Sequence, residues 1–197
     1  MSLLDTLIDW DQQATLWINS LNSPATDTFW MFMSDVRIWF PAYFLIMLFI
    51  VSQVGWKKGL AWIVAVILTV VLCDRISAEL KYVFERLRPC YNTWMIEHGL
   101  HWPYGHAGGF FGFFSSHASN VFGFASLLTL AMKWYGKPKT ARILGISLFI
   151  WATLVSLSRI MMAAHFLGDV LVGAAFGLLV GTAIAFLTRW VITKARL

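Results

Sequence analysis

The stretch FLGDVLVGAAFGLLVGTAIAFLT, residues 166–188, decides the fold class because its 23 residues contain a single ionisable side chain, Asp169. As a helix it would be about 35 Å long, enough to cross the roughly 30 Å hydrocarbon core of a bilayer. Gly173, Gly177 and Gly181 recur every four residues within it. Because such a face of small residues lets transmembrane helices approach closely, we expect this span to pack tightly against another helix.

Four further apolar runs are long enough to cross a membrane, and they cover residues 38–54, 59–80, 116–132 and 143–158. The aromatic stretch 27–37 is open to three interpretations: a re-entrant helix, an interfacial helix or an extension of the first span. The composition agrees with a membrane protein, since 59% of residues are hydrophobic, 13% are charged and the mean hydropathy is +0.69. We therefore predict one all-α domain over residues 1–197, a polytopic transmembrane bundle of five to six spans.

The N-terminus mixes acidic and apolar side chains in a helical pattern. The residues that form this pattern are Leu3, Leu4, Asp5, Leu7, Ile8, Asp9 and Asp11. It is typical of an amphipathic helix that lies on the membrane surface, and it lacks the order of a cleavable signal peptide. Residues 1–36 are therefore predicted to form an interfacial N-terminal segment.

Basic residues fall on one side of a five-span bundle. They are Lys57, Lys58, Lys133, Lys137, Lys139, Arg142, Arg189, Lys194 and Arg196. By the positive-inside rule this side is cytoplasmic, so the 81–115 and 158–166 connections lie on the extracytoplasmic face, as expected for a bacterial inner-membrane protein.

Two other classes of protein fit the sequence poorly. The net charge of +5 follows from membrane topology, and the basic residues do not cluster with stacking aromatics as in a nucleic-acid-binding domain. Cys73 and Cys90 are too few for a disulfide framework, so we expect both to be free thiols.

His165 and Asp169 are four residues apart at the start of the last span, and therefore on one helix face. A carboxylate at this position can hold one imidazole nitrogen and leave the other free to attack an electrophile. The alternative is a structural pair within the bundle, because this spacing is common.

Three cations lie at the extracytoplasmic ends of spans. Lys81 and Arg88 are seven residues apart, with Pro89 ending the helix, and Arg159 closes another span. An arginine fork suits bidentate contact with phosphate. The alternative is snorkelling to the head groups, an interpretation that suits Arg75 and Arg86 better.

Ser115, Ser116 and His117 stand directly before a span. The amide groups of a helix start can hold an anion, and His117 can act as a general acid. Serine at this position is alternatively a simple N-cap.

Together, three cations, a helix start and two histidines on one membrane face favour phosphoryl transfer. His98, His101 and His106 with Glu97 lie in the long loop 90–114, which we interpret as a solvated loop and not as a metal site. Its mixture of glycines and aromatics suggests a lid over a lipid head group.

The motifs Lys81-x6-Arg88-Pro89, Ser115-Ser116-His117 and Ser158-Arg159-x5-His165-x3-Asp169 resemble, in order, those of the type 2 phosphatidic acid phosphatase family. They cover residues 81–169. The second motif of the family usually reads Pro-Ser-Gly-His, so Phe114 and Ser116 depart from it.

The resemblance implies a role for each motif residue. The phosphate-binding set would be Lys81, Arg88, Ser115, Ser116, Ser158 and Arg159. His165 would be the nucleophile, Asp169 its orienting carboxylate, and His117 the acid that protonates the leaving group and later activates water. No metal or other cofactor is implied.

We therefore expect a membrane lipid phosphate phosphatase that forms a phosphohistidine. Among possible substrates we expect undecaprenyl diphosphate, because a compact chain suits an enzyme that recycles this lipid. Phosphatidylglycerophosphate and lipid A are the alternative substrates. A lipid phosphotransferase with the same site and a non-catalytic lipid-binding or transport protein are the alternatives. The sequence does not indicate an oligomeric state.

Overall fold

The computed structural model describes residues 2–103 and 108–196, and this part of the chain is helical without a named β-strand. Its helices are α1 (Leu3–Asn19), α2 (Asp27–Ser34), α3 (Phe40–Val54), α4 (Trp56–Phe84), α5 (Thr93–Glu97), α6 (Ser116–Tyr135), α7 (Pro138–Met161) and α8 (Leu167–Lys194). Helices α3, α4, α6, α7 and α8 coincide with the five predicted spans. The predicted all-α transmembrane bundle is therefore confirmed.

Helix α6 is the central helix of the bundle. Four helical segments, Val36–Val54, α4, α7 and α8, are long and apolar enough to cross a membrane by composition, and α6 is not among them. It packs against α4, α7 and α8, and eleven of its twenty residues are buried. Because its neighbours shield it from lipid, α6 can carry polar residues that would be costly on a lipid-facing helix.

Helix α8 runs parallel to α6 and lies directly against it through its glycines. Gly173, Gly177 and Gly181 face the carbonyl oxygens of Ser115, Ser119 and Gly123 in turn. A Cβ atom at Gly173 would lie 2.5 Å from the Ser115 oxygen. The predicted close approach of small residues is confirmed, and it brings the starts of α6 and α8 together.

Helix α2 does not extend the first span, which begins at Val36. Helix α2 has only eight residues, about 12 Å of helix, and a 3-10 turn at Val36–Trp39 separates it from α3. Asp35 caps this turn by accepting a hydrogen bond from the Arg37 amide at 3.0 Å. The described part of the chain therefore has four apolar spans, the first of them Val36–Val54, and the buried helix α6 as the fifth long helix.

Helix α1 is amphipathic, as predicted. Its apolar side chains Leu3, Leu4, Leu7, Trp10 and Trp17 are exposed. The helix packs against α7 and α8 around Thr15 and Asn19, which are fully buried. The polar face is therefore docked on the bundle, while the apolar face is available to lipid.

Candidate active site

Apart from Arg88 and His165, the predicted site residues come from the ends of four long helices. Lys81 lies in the last turn of α4 and Arg159 in that of α7. Ser115 is the N-cap of α6, and Asp169 lies in the first turn of α8. Because α6 and α8 pack in parallel, Ser115 and Asp169 are neighbours, and the Ser115 amide donates to the Asp169 carbonyl at 3.0 Å.

His165 lies in the short connection between α7 and α8 and is almost fully buried. Its Nδ1 atom is 3.6 Å from Oδ2 of Asp169 and makes no hydrogen bond within the described residues. The same Asp169 oxygen accepts a hydrogen bond from the Phe166 amide at 3.0 Å, which fixes the carboxylate at the start of α8. On the other side, Nε2 of His165 is 3.5 Å from Nη1 of Arg88. The nitrogen that faces Arg88 is therefore Nε2.

Backbone carbonyls hold the Arg88 guanidinium against His165. Nε donates to the Gly109 carbonyl at 2.6 Å and Nη1 donates to the Ala164 carbonyl at 3.1 Å. These bonds fix the planar fork before any substrate binds. A preorganised donor of this kind costs little reorganisation when a phosphate arrives.

The other two cations border the same site. Nζ of Lys81 is 3.4 Å from Oγ of Ser116, across the contact between α4 and α6. The Arg159 guanidinium donates to the Ser34 hydroxyl, which comes from α2. The N-terminal segment therefore reaches the cationic side of the site.

These charges act on the protonation of His165. Burial, followed by the charges of Arg159, Arg88 and Lys81, lowers the pKa of His165 well below its usual range. The imidazole is therefore neutral near pH 7, which is the form that can attack an electrophile.

Within residues 115–117, Ser115 caps helix α6, whereas Ser116 and His117 are accessible from a cavity. The Ser115 hydroxyl accepts a hydrogen bond from the Ala118 amide at 3.3 Å, so its N-cap interpretation holds in this structure. Ser116 and His117 line a cavity of about 510 Å³ between α3, α4 and α6. They are the two residues of this motif that a ligand in the cavity can reach.

The Ser158 side chain is engaged within its own helix. Its buried hydroxyl donates to the Val155 carbonyl at 2.6 Å. The predicted phosphate contact of Ser158 would require the hydroxyl to leave this bond.

Arg86 is a correction to the sequence analysis, where it was expected to snorkel. Its Nη1 atom lies 2.6 Å from Oδ1 of Asp169 and its Nη2 atom 2.5 Å from Oδ2 of Asp11. The guanidinium also lies over the Phe166 ring, 4.1 Å from its centroid. Arg86 therefore joins the carboxylate beside His165 to helix α1. No local spacing signals this contact, because its partners are 75 and 83 residues away.

Gly112 is a second position that sequence reasoning missed. A Cβ atom there would lie 3.1 Å from Oδ2 of Asp169 and 3.6 Å from Nδ1 of His165. The Gly112 amide donates to the Arg86 carbonyl at 2.8 Å. The loop backbone thus closes over the histidine and carboxylate pair, and a larger residue at this position would crowd the Asp169 carboxylate.

The long loop also holds the remaining candidates. His101 is not simply solvated, because its Nε2 atom is 2.9 Å from Oδ1 of Asp27. His106 lies outside the described residues, and the described part of the chain contains no group of three metal-ligating side chains. Cys73 and Cys90 are free thiols, as predicted. Both are buried, and burial raises the pKa of the Cys90 thiol to about 11, which makes it a poor nucleophile.

Comparison with known proteins identifies the family. The family model of the PAP2 superfamily matches residues 55–194. A lipid A 4'-phosphatase of Bacteroides thetaiotaomicron is 32% identical over 89% of this chain and 75% of its own length. A lipid A 4'-phosphatase of Porphyromonas gingivalis is 28% identical over 90% of this chain and 72% of its own length.

Two solved structures share the fold. A transmembrane PAP2-type phosphatidylglycerolphosphate phosphatase from Bacillus subtilis gives a TM-score of 0.71 at 20% identity, covering 96% of this chain and 87% of that one. LpxE of Aquifex aeolicus gives 0.63 at 23% identity, covering 87% of this chain and 92% of that one. The chain therefore belongs to the PAP2 superfamily and is an integral membrane lipid phosphatase.

Proposed function

We propose that the protein removes a phosphate group from a lipid A-type glycolipid, through a phosphohistidine intermediate. The observation that carries this substrate is that two lipid A 4'-phosphatases align with about nine-tenths of the chain. Their alignments are longer than residues 55–194, the part that matches the family model. The two solved structures support the fold alone.

The proposed chemistry assigns one task to each group at the site. Lys81, Arg88 and Arg159 hold the phosphoryl oxygens, and Nε2 of His165 attacks phosphorus as the bond to the lipid oxygen breaks. His117 gives its proton to that oxygen. The Asp169 carboxylate stabilises the positive charge that develops on His165.

A second step restores the enzyme. Water gives a proton to His117 and attacks phosphorus, the bond between phosphorus and Nε2 breaks, and inorganic phosphate leaves. Three side-chain cations meet the charge of the phosphoryl group, so we propose that no metal takes part. EDTA should then leave the rate unchanged, whereas strict dependence on added Mg²⁺ would contradict the mechanism.

Undecaprenyl diphosphate is the second candidate substrate. It shares the phosphate group that the motif residues would hold. Phosphatidylglycerophosphate shares that group as well. We favour lipid A because the curated relatives point to it, and we treat the other two lipids as competing substrates in the test.

We also propose that the site faces the extracytoplasmic side of a bacterial inner membrane. The support is the charge distribution. Lys57 and Lys58 lie at the start of α4, and Lys133 and Lys194 lie in the last turns of α6 and α8. Lys81 and Arg159 lie in the last turns of α4 and α7, at the opposite end, with the site.

The deciding experiment measures phosphate release by the purified protein in detergent. The three lipids are compared at equal concentration, with and without an alcohol that can accept the phosphoryl group. Release of phosphate from lipid A with the highest kcat/KM is expected. A preference for undecaprenyl diphosphate would overturn the lipid A assignment, and transfer to the alcohol in place of water would favour a phosphotransferase. Binding of lipid without turnover would favour the non-catalytic alternative.

A further inference from the structure

A cavity of about 510 Å³ leads from the catalytic side chains into the apolar part of the bundle. One end is formed by Ser116 and His117. The apolar wall comes from α4, α3 and the 3-10 turn before α3, and includes Trp39, Phe40, Tyr43, Met47, Val66 and Val70. The cavity thus joins the phosphate site to a lipid-compatible surface.

One acidic side chain interrupts this apolar wall. Asp74 lines the cavity and stays exposed in it. It is the first charged residue of the predicted span 59–80, and it is two helical turns, about 10 Å, from Lys81. An ionisable group at the edge of the hydrocarbon is costly unless it has a partner or a function.

Asn120 holds the Asp74 carboxylate in place. The Asn120 side-chain amide donates to Oδ1 of Asp74 at 2.8 Å. Asn120 lies one turn after His117 on α6, and it lines the same cavity. A carboxylate has room for several hydrogen bonds, so Asp74 can accept another from a ligand.

We propose that the cavity binds the lipid backbone next to the phosphate, and that Asp74 accepts a hydrogen bond from a hydroxyl or amide N–H group of that backbone. This inference rests on the proposed function and makes it more specific. Lipid A carries amide and hydroxyl groups on and near its phosphorylated sugars, whereas the undecaprenyl chain is hydrocarbon without a donor. Asp74 therefore selects between the two candidate substrates.

Asp74 should favour lipid A over undecaprenyl diphosphate, because only lipid A brings a hydrogen-bond donor next to the phosphate. A site built to bind a donor is left with an unpaired acceptor when the substrate lacks one, and such sites discriminate strongly. A purely structural link between α4 and α6 would instead affect all substrates alike. The two roles therefore differ in the ratio of kcat/KM for lipid A to kcat/KM for undecaprenyl diphosphate.

The test compares this ratio in Asp74→Ala and in the wild-type protein. Loss of one hydrogen bond to a charged group should lower the ratio by about ten- to a hundredfold. Asp74→Asn keeps an oxygen acceptor and should lower it less. Glu79→Ala is the matched control, since Glu79 is an exposed acid on the same helix, and its ratio should equal that of the wild type.

The outcomes separate this inference from the proposed function. If the wild-type protein does not hydrolyse lipid A, the proposed function fails and the inference fails with it. If lipid A is hydrolysed but Asp74→Ala changes the ratio less than twofold, only the role of Asp74 is overturned. Should Asp74→Ala fail to fold, Asp74→Asn keeps the shape of the side chain but removes its charge, and an unchanged ratio in that variant would equally overturn the role.

Discussion

Residues 2–54 and residues 55–194 both surround His165, but they interact with different parts of the site. The second region carries every motif residue and matches the family model. The first region has no motif, yet its side chains bind the backbone on both sides of His165. Residues 55–194 therefore supply the side chains that would bind the phosphate, and residues 2–54 hold the backbone of that site in place.

Helix α1 satisfies the two helix ends that flank His165. Its Asn19 side chain donates to the carbonyls of Ile160 and Met161 at the end of α7, at 3.1 and 3.2 Å. Thr15 and Asp11 accept hydrogen bonds from the amides of Leu167 and Gly168 at the start of α8, at 2.9 and 2.7 Å. These are backbone groups that a helix cannot pair internally. The N-terminal segment therefore fixes the connection that carries His165.

The largest effect is expected within the motif region. His165→Ala should abolish phosphate release, because it removes the nitrogen that would form the covalent intermediate. The measurement is single-turnover phosphate release, with thermal unfolding to confirm that the variant folds. His98→Ala is the matched control, since His98 is an exposed histidine whose ring bonds to the Trp94 carbonyl. Substantial turnover by His165→Ala would show that the nucleophile is another residue.

Arg86 is the point where the two regions join, and its removal should have the next largest effect. Arg86→Met leaves the buried Asp169 carboxylate and Asp11 without their shared cation, so kcat should fall by about 10- to 100-fold, as for other residues that orient a catalytic group. KM should change much less, because Arg86 would not touch the phosphate. Arg86→Lys should restore part of kcat by returning one positive charge.

The control for Arg86 is Arg75→Met, which removes an exposed arginine from α4. It should leave kcat close to the wild-type value. An equal loss of kcat in both variants would mean that general charge near the membrane surface matters, and not the contact of Arg86 with Asp169.

The sequence predicts local structure well and remote contacts poorly. The five spans follow from apolar runs, and the Gly173, Gly177 and Gly181 face follows from a four-residue period. The meeting of Lys81 with Ser116 follows from topology, because alternate spans bring their ends to one surface. Arg86 and Gly112 escape prediction because their contacts depend on the path of a loop and on the docking of α1, which no periodicity encodes.

Asp11 tests the N-terminal side of the same junction. Asp11→Asn keeps an oxygen that can accept from the Gly168 amide but removes the negative charge paired with Arg86. We expect kcat to fall by roughly three- to tenfold, less than for Arg86→Met, because Arg86 keeps its bond to Asp169. The double variant with Arg86→Met should be no slower than Arg86→Met alone. Additive losses would mean that Asp11 acts through α8 and not through Arg86.

The smallest effect concerns the pH dependence of kcat, which should separate the two regions. The folded-state pKa of His165 is lowered by burial and by Arg159, Arg88 and Lys81, all from residues 55–194. The neutral, attacking form therefore persists to lower pH, and the acid limb of the pH profile of kcat should lie below the usual histidine pKa of about 6.5.

Lys81→Met removes one of these cations, so the pKa of His165 should rise and the acid limb should move to higher pH. Asp11→Asn should leave the limb in place, because Asp11 is not among the groups that set this pKa. Phosphate ionisation of the substrate is common to all three proteins and cancels in the comparison. A limb that moves equally in both variants would show that the N-terminal segment also sets the charge of the site and does not only position its groups.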